Sequence, residues 1–174
     1  MDQRPRVAIV GHSNVPTHFS HPGVEVRIFR KPGAWITQFD TYAEFRNLFH
    51  WPHDLCFLWL GSNDIYTGCG TQSIATQIIQ LARRIEDQVG STVVVVLIEP
   101  RNCPDDYQIT TEEYTLVARG INRQINRARP GVGRRIGFWG EAAQHLDHTG
   151  WHFNDIGKQL VKDRFAEFID QFFQ

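Results

Sequence analysis

Leu55-Cys56-Phe57-Leu58-Trp59-Leu60-Gly61-Ser62-Asn63-Asp64 passes from an unbroken apolar run into a glycine followed by small polar and acidic residues. A strand with one wet face alternates apolar and polar side chains. A continuous run belongs instead to a strand covered on both faces, the situation of a parallel sheet in an α/β protein. Strand-length runs also occupy residues 7–10, 24–29, 93–98 and 136–139, and all but the second of these are followed closely by Gly or Pro. Between them the apolar residues fall at helical spacing, which predicts helices over 41–49, 72–88 (Ile74, Ile78, Leu81, Ile85), 111–128 (Tyr114, Val117, Ile121, Ile125) and from about 155 (Ile156, Leu160, Val161, Phe165, Ile169, Phe172). Strands alternating with helices imply right-handed βαβ crossovers and a three-layer αβα sandwich. In such folds ligands bind beyond the carboxyl ends of the strands, at the switch point of strand order.

The 174 residues suit one domain spanning 1–174, with no repeats, low-complexity tracts or linkers. Lys and Arg total 18 against 19 Asp and Glu, so nothing in the overall charge favours nucleic acid or an anionic membrane as partner. The basic loop at residues 127–135 reads as a solvated turn. Three cysteines, Cys56, Cys69 and Cys103, are too few and too scattered for a disulfide framework. With no apolar stretch of signal-peptide or membrane-spanning length, the expectation is a cytoplasmic protein. The eight histidines stand out, because each is a candidate base or metal ligand.

Polar residues cluster at the predicted strand ends. The first strand runs into Gly11-His12-Ser13-Asn14, the second into Lys31-Pro32-Gly33-Ala34 and the third into Gly61-Ser62-Asn63-Asp64. Thr149-Gly150-Trp151-His152-Phe153-Asn154 immediately precedes the last helix. Each taken alone is an ordinary turn, since Ser, Asn and Gly are the usual turn residues. Together they supply what serine hydrolysis needs. A hydroxyl is a weak nucleophile until a base removes its proton, and the tetrahedral oxyanion needs donors already in place. In this reading Ser13 attacks, His152 takes the proton, and the N–H groups of Ser13 and Gly33 with the Asn63 amide hold the oxyanion. No metal or cofactor is required.

The Gly11-His12-Ser13, Gly33, Gly61-Ser62-Asn63-Asp64 and His152-Phe153-Asn154 blocks resemble the four blocks of the SGNH, or GDSL-like, hydrolases, in order and over nearly the whole chain. The resemblance implies a flavodoxin-like sheet of five parallel strands in order 2-1-3-4-5 and metal-independent esterase chemistry on a small-molecule ester, lipid-like substrates included. The Arg30-Lys31-Pro32-Gly33-Ala34 and Ile98-Glu99-Pro100-Arg101-Asn102 stretches are also similar to esterase domains in the first reading frame of LINE-type retrotransposons. Two positions depart from the family pattern. His12 replaces the usual Asp before the nucleophile, so an imidazole is expected to modulate the field at Ser13. Thr149 stands where the triad acid normally lies, three residues before the histidine. Neutralising the acid of a comparable triad costs roughly 10⁴ in turnover. Three outcomes stay open: Asp147 serves as the acid, Thr149 or a carbonyl steadies a Ser13–His152 dyad, or the fold has become a weak or silent module that binds a lipid, nucleic acid or protein.

Rival motifs fail. The nucleophile elbow of α/β-hydrolases needs glycine at Val15, and no phosphate-binding glycine loop follows the first strand. His145, His148 and His152 have helical spacing for a metal, but Gly150 and the nearby strand end argue for a loop. Trp35, Tyr66 and Trp151 adjoin three of the blocks. As cleft walls they would favour an acyl chain or a flat alcohol group, in a cleft with little chain left over for a lid.

Overall fold

The computed structural model describes residues 3–128 and 134–174. Its sheet contains β1 (Arg6–Gly11), β2 (Glu25–Arg30), β3 (Leu55–Trp59), β4 (Thr92–Val96) and β5 (Arg134–Ile136), ordered β2-β1-β3-β4-β5. Every pairing is parallel. This is the order implied by the family resemblance. The switch point falls between β1 and β3, whose following loops carry Ser13 and Asn63.

Alternate residues of the central strands feed two separate cores. Ala8, Val10, Cys56, Leu58, Val93 and Val95 pack with Ile74, Ile78 and Ile85 of α3 (Thr71–Val89) and Tyr114, Ile121 and Ile125 of α4 (Thr111–Arg127). Val7, Ile9, Phe57, Trp59, Val94 and Val96 face Val161, Phe165 and Ile169 of α5 (Asp155–Phe172). Burial on both faces explains why the β3 and β4 sequences do not alternate. The N-terminus of α5 is capped by Asn154, whose side chain accepts from the Gly157 N–H at 2.9 Å. No helix among the described residues is long and apolar enough to cross a membrane.

Three boundaries differ from expectation. Instead of one helix over 41–49, the chain forms 3-10 turns at Ile36–Thr41 and Asn47–His50 around a one-turn α1 (Ala43–Arg46). Tyr42 is extended, with φ −92° and ψ 121°, and it ends the first turn while Phe39 and Phe45 stack at 4.9 Å. Aromatic packing has overridden a weak local preference. The second strand is shifted by one residue, and the last ends at Ile136, where Leu97 donates to the Ile136 carbonyl at 2.9 Å. Of the basic loop, residues 129–133 lie outside the described residues.

Candidate active site

Ser13 stands just past β1, with its Oγ 2.9 Å from His152 Nε2. The two residues are 139 apart in sequence, and one local device brings them together. After a one-turn α2 (Ser62–Ile65) and the remaining strands, residues 145–154 fold into a narrow antiparallel return, with a bridge between Leu146 and Phe153. Asp147 N–H donates to the His152 carbonyl at 2.8 Å, and Asn154 N–H donates to that of His145 at 2.8 Å. Asp147 is thereby set across from His152, its Oδ2 3.7 Å from His152 Nδ1. Its Oδ1 accepts from Thr149 N–H at 2.9 Å and Thr149 Oγ1–H at 2.5 Å. Burial alone would raise the Asp147 carboxyl, but these hydrogen bonds and the nearby His152 and His148 outweigh it and hold it below its ordinary range. Partial burial lowers the His152 imidazole below its ordinary value, Arg101, His12 and Lys158 push the same way, and Asp147 opposes them. His145, His148 and His152 lie along this return and not on a helix.

The donors expected for an oxyanion come from the next two loops. Lys31-Pro32-Gly33-Ala34 is closed by Ala34 N–H on the Lys31 carbonyl at 3.1 Å, with Pro in its second place and Gly33 at φ +75° in its third. That is a type II turn, whose third position requires a residue tolerant of positive φ. Asn63 Nδ2 donates to the Ala34 carbonyl at 3.0 Å, which ties the amide to this turn; among the described residues its second hydrogen has no partner. Among the described residues, neither Ser13 nor Gly33 uses its backbone N–H internally. Asp64 is fully buried and secures the same junction, accepting from Ile36 N–H at 2.8 Å, Thr37 N–H at 3.2 Å and Thr37 Oγ1–H at 2.9 Å. Burial raises its carboxyl, and those bonds recover only part of the shift.

Beneath these groups lies a buried polar centre that sequence reasoning missed. The Glu99 carboxylate, just past β4, has zero exposure. Its Oε1 meets His12 Nε2 at 3.3 Å and Trp59 Nε1 at 3.0 Å, and its Oε2 meets Asn14 Nδ2 at 3.2 Å and Arg101 Nε at 2.9 Å. Arg101 in turn donates to Asn63 Oδ1 at 3.0 Å and Ser62 Oγ at 2.9 Å. Asn14 reaches the fourth loop, donating to the Trp151 carbonyl at 3.1 Å and accepting from Phe153 N–H at 3.4 Å. One carboxylate therefore links the neighbours of Ser13, Asn63 and His152. Burial works against its charge, yet His12 and Arg101 hold it well below the usual carboxylate range.

His12, expected as a modulator beside Ser13, belongs to this buried centre. It is fully buried, and its Nδ1 accepts from Asn14 N–H at 3.1 Å. An accepting Nδ1 needs a lone pair, so the ring proton sits on Nε2 facing Glu99. The ring braces the loop. Thr149 is a spacer as well, holding Asp147 while accepting from Trp151 N–H at 3.2 Å.

Ser13, Gly33, Asn63, Asp147, Trp151 and His152 all line one cavity of about 580 Å³, within the usual size of small-molecule sites. Trp35 and Tyr66 do not line it. Trp35 lies one residue outside the Ala34 anchor, and Tyr66 is packed beneath Trp151 and against Tyr114, at ring separations of 5.6 Å. Only one of the three expected aromatic walls faces the cavity.

The parallel sheet in this order, with helices on both faces, is the fold of solved SGNH and GDSL-type hydrolases. Several solved structures share it. They include a member of the lipolytic G-D-S-L family from Veillonella parvula (18% identity, 93% of this chain and 96% of that one, TM-score 0.70). A provisionally assigned SGNH hydrolase from Slackia heliotrinireducens aligns at 15% identity over 95% and 98% of the two chains, TM-score 0.71. A provisionally assigned arylesterase from Agrobacterium tumefaciens does so at 17% identity over 96% and 99%, TM-score 0.70. No family model and no curated protein sequence matches the chain.

Proposed function

We propose that the chain, acting as one domain, is a metal-independent serine esterase that cleaves carboxylic esters, short acyl esters among them, through an acyl-Ser13 intermediate. The observation that carries this reading is the 2.9 Å contact between His152 Nε2 and Ser13 Oγ in a cavity also lined by Gly33 and Asn63. His152 removes the Ser13 proton as Oγ attacks the ester carbonyl. The oxyanion is received by the Ser13 and Gly33 N–H groups and the unengaged hydrogen of the Asn63 amide. Collapse expels the alcohol, which takes its proton from His152. Water, deprotonated by the same ring, then releases the acid and restores Ser13. Asp147 supports the imidazolium by charge across 3.7 Å, too far for a direct hydrogen bond. The three free cysteines favour a reducing, cytoplasmic setting.

Hydrolysis of p-nitrophenyl acetate by purified protein tests the reading. Turnover abolished by Ser13→Ala and by His152→Ala, with wild-type labelling by a fluorophosphonate that Ser13→Ala prevents, is expected. Equal rates in all three proteins and no labelling would overturn it in favour of a silent module that binds a partner.

A further inference from the structure

The cavity at Ser13 is lined by cations that the hydrolytic step does not use. Arg30, at the end of β2, donates through Nε to the Val15 carbonyl at 3.0 Å and through Nη2 to the Ser13 carbonyl at 3.1 Å. These bonds fix its guanidinium at the nucleophile loop without neutralising it. Lys158 and Lys162, one turn apart on α5, line the same cavity with Val161 between them. Among the described residues none of these three cations makes an ion pair. Among the described residues the only carboxylate lining the cavity is Asp147, already engaged by Thr149 and facing His152. Arg101 also lines it, but Glu99 neutralises that charge.

This concentration stands against a chain whose net charge is −1. Cations placed together without partners repel one another, and an anion entering between them relieves that repulsion while making charge-assisted hydrogen bonds. Their position inside the cavity that contains Ser13, with the aromatics Trp35 and Tyr66 turned elsewhere, directs that anion into the site.

We infer that the substrate is a small ester bearing its own anionic group, a carboxylate or phosphate, which Arg30, Lys158 and Lys162 hold while the ester carbonyl meets Ser13. The inference rests on the esterase reading and names the substrate class for that site. Arg30 offers a planar fork for two oxygens, and the lysines contribute point charges from the opposite element. The three are specificity-determining groups, and none moves a proton in the reaction.

Two matched ester pairs test this. In one the charge is on the acyl side: p-nitrophenyl hemiglutarate against its methyl-capped neutral counterpart. In the other it is on the alcohol side: p-acetoxybenzoate against its methyl ester. At low ionic strength kcat/KM should favour the charged member of at least one pair by about tenfold, the preference one charge-assisted contact supports. That ratio should fall towards one in about 1 M salt, where the screening length is about 3 Å. It should fall likewise in the Lys158→Gln, Lys162→Gln double variant, and the salt series needs no variant to fold. Equal kcat/KM within both pairs, unmoved by salt and still dependent on Ser13, would overturn the inference and leave the esterase reading intact. If neither pair is cleaved, the esterase reading fails, and calorimetric titration with monomethyl glutarate decides the anion site by itself. Binding that the double variant loses sustains the site, whereas no binding, or equal binding by the variant, refutes it.

Discussion

Replacing Glu99 with glutamine keeps the side chain's size and removes its charge. The carboxylate accepts from His12, Trp59, Asn14 and Arg101, with Arg101 Nη2 a further contact at 2.8 Å. Glutamine offers a single acceptor oxygen and turns an NH2 group towards donors, so part of this set loses its partner. Arg101, 3% exposed, becomes an uncompensated buried cation. Breaking one side of a buried pair costs about 3–5 kcal/mol, and for a chain of this size about 2–4 °C of Tm accompanies each kcal/mol. Thermal unfolding followed by circular dichroism should therefore show Glu99→Gln melting roughly 6–20 °C below wild type. A drop under about 2 °C would refute the charged-hub reasoning.

Activity separates positioning from stability. With Glu99→Met and Arg101→Met together, no unpaired charge remains, and apolar replacements of buried pairs are often neutral or stabilising. Only part of the lost Tm should return, because the buried His12 and Trp59 donors are left without an acceptor. The rate on p-nitrophenyl acetate should not, because Asn63 Oδ1 and Ser62 Oγ have lost the guanidinium that holds them. A deficit of about 10², at the lower end of what loss of an oxyanion donor costs, is expected in kcat. A stable double variant with wild-type kcat would show that the buried pair does not position the site.

The acidic limb of kcat/KM should have its midpoint below 6.5, because the base works only when neutral and burial lowers the His152 imidazole; a midpoint above 6.5 in a pH–rate profile would contradict this. Asp147→Asn should move that midpoint lower still, since Asp147 favours the imidazolium, and cut kcat by far less than the roughly 10⁴ seen where a triad acid bonds directly. Asn63→Ala should lower kcat by about 10²–10³ with little change in KM, whereas a change confined to KM would assign Asn63 to substrate binding alone. Gly150→Ala should destabilise the His152 loop, because Gly150 has φ +77° and an added Cβ would lie 2.2 Å from the Asn102 carbonyl oxygen; unchanged urea unfolding and unchanged activity would count against that packing.

The three central strands were legible because burial on both faces leaves a period-free apolar run, as at Leu55–Trp59. The long helices were legible from their stripes, and the one mistaken helix lay where Phe39 and Phe45 stack across a break that no local pattern records. The Ser13, Gly33, Asn63 and His152 loops could be found individually because each adjoins a strand end or helix start. The Glu99 centre could not be. A buried, fully partnered carboxylate and a surface one have the same letter, and its partners come from separate loops. The available hint was position: Glu99 follows immediately on the apolar run at 93–98, with Arg101 two residues on, where a charged residue must leave the core or find partners within it.

In the esterase reading, the missing triad acid has its physical account in the return at 145–154. Because Asp147 and His152 face each other across antiparallel backbone, the carboxylate need not occupy the position three residues before the histidine. Thr149 fills that position without replacing the acid. Both its N–H and its hydroxyl donate to Asp147 Oδ1, which fixes the carboxylate and leaves Oδ2 towards the imidazole. The threonine thus works through the aspartate. In that reading, protonation of His152 during turnover strengthens its attraction to the Asp147 carboxylate across 3.7 Å.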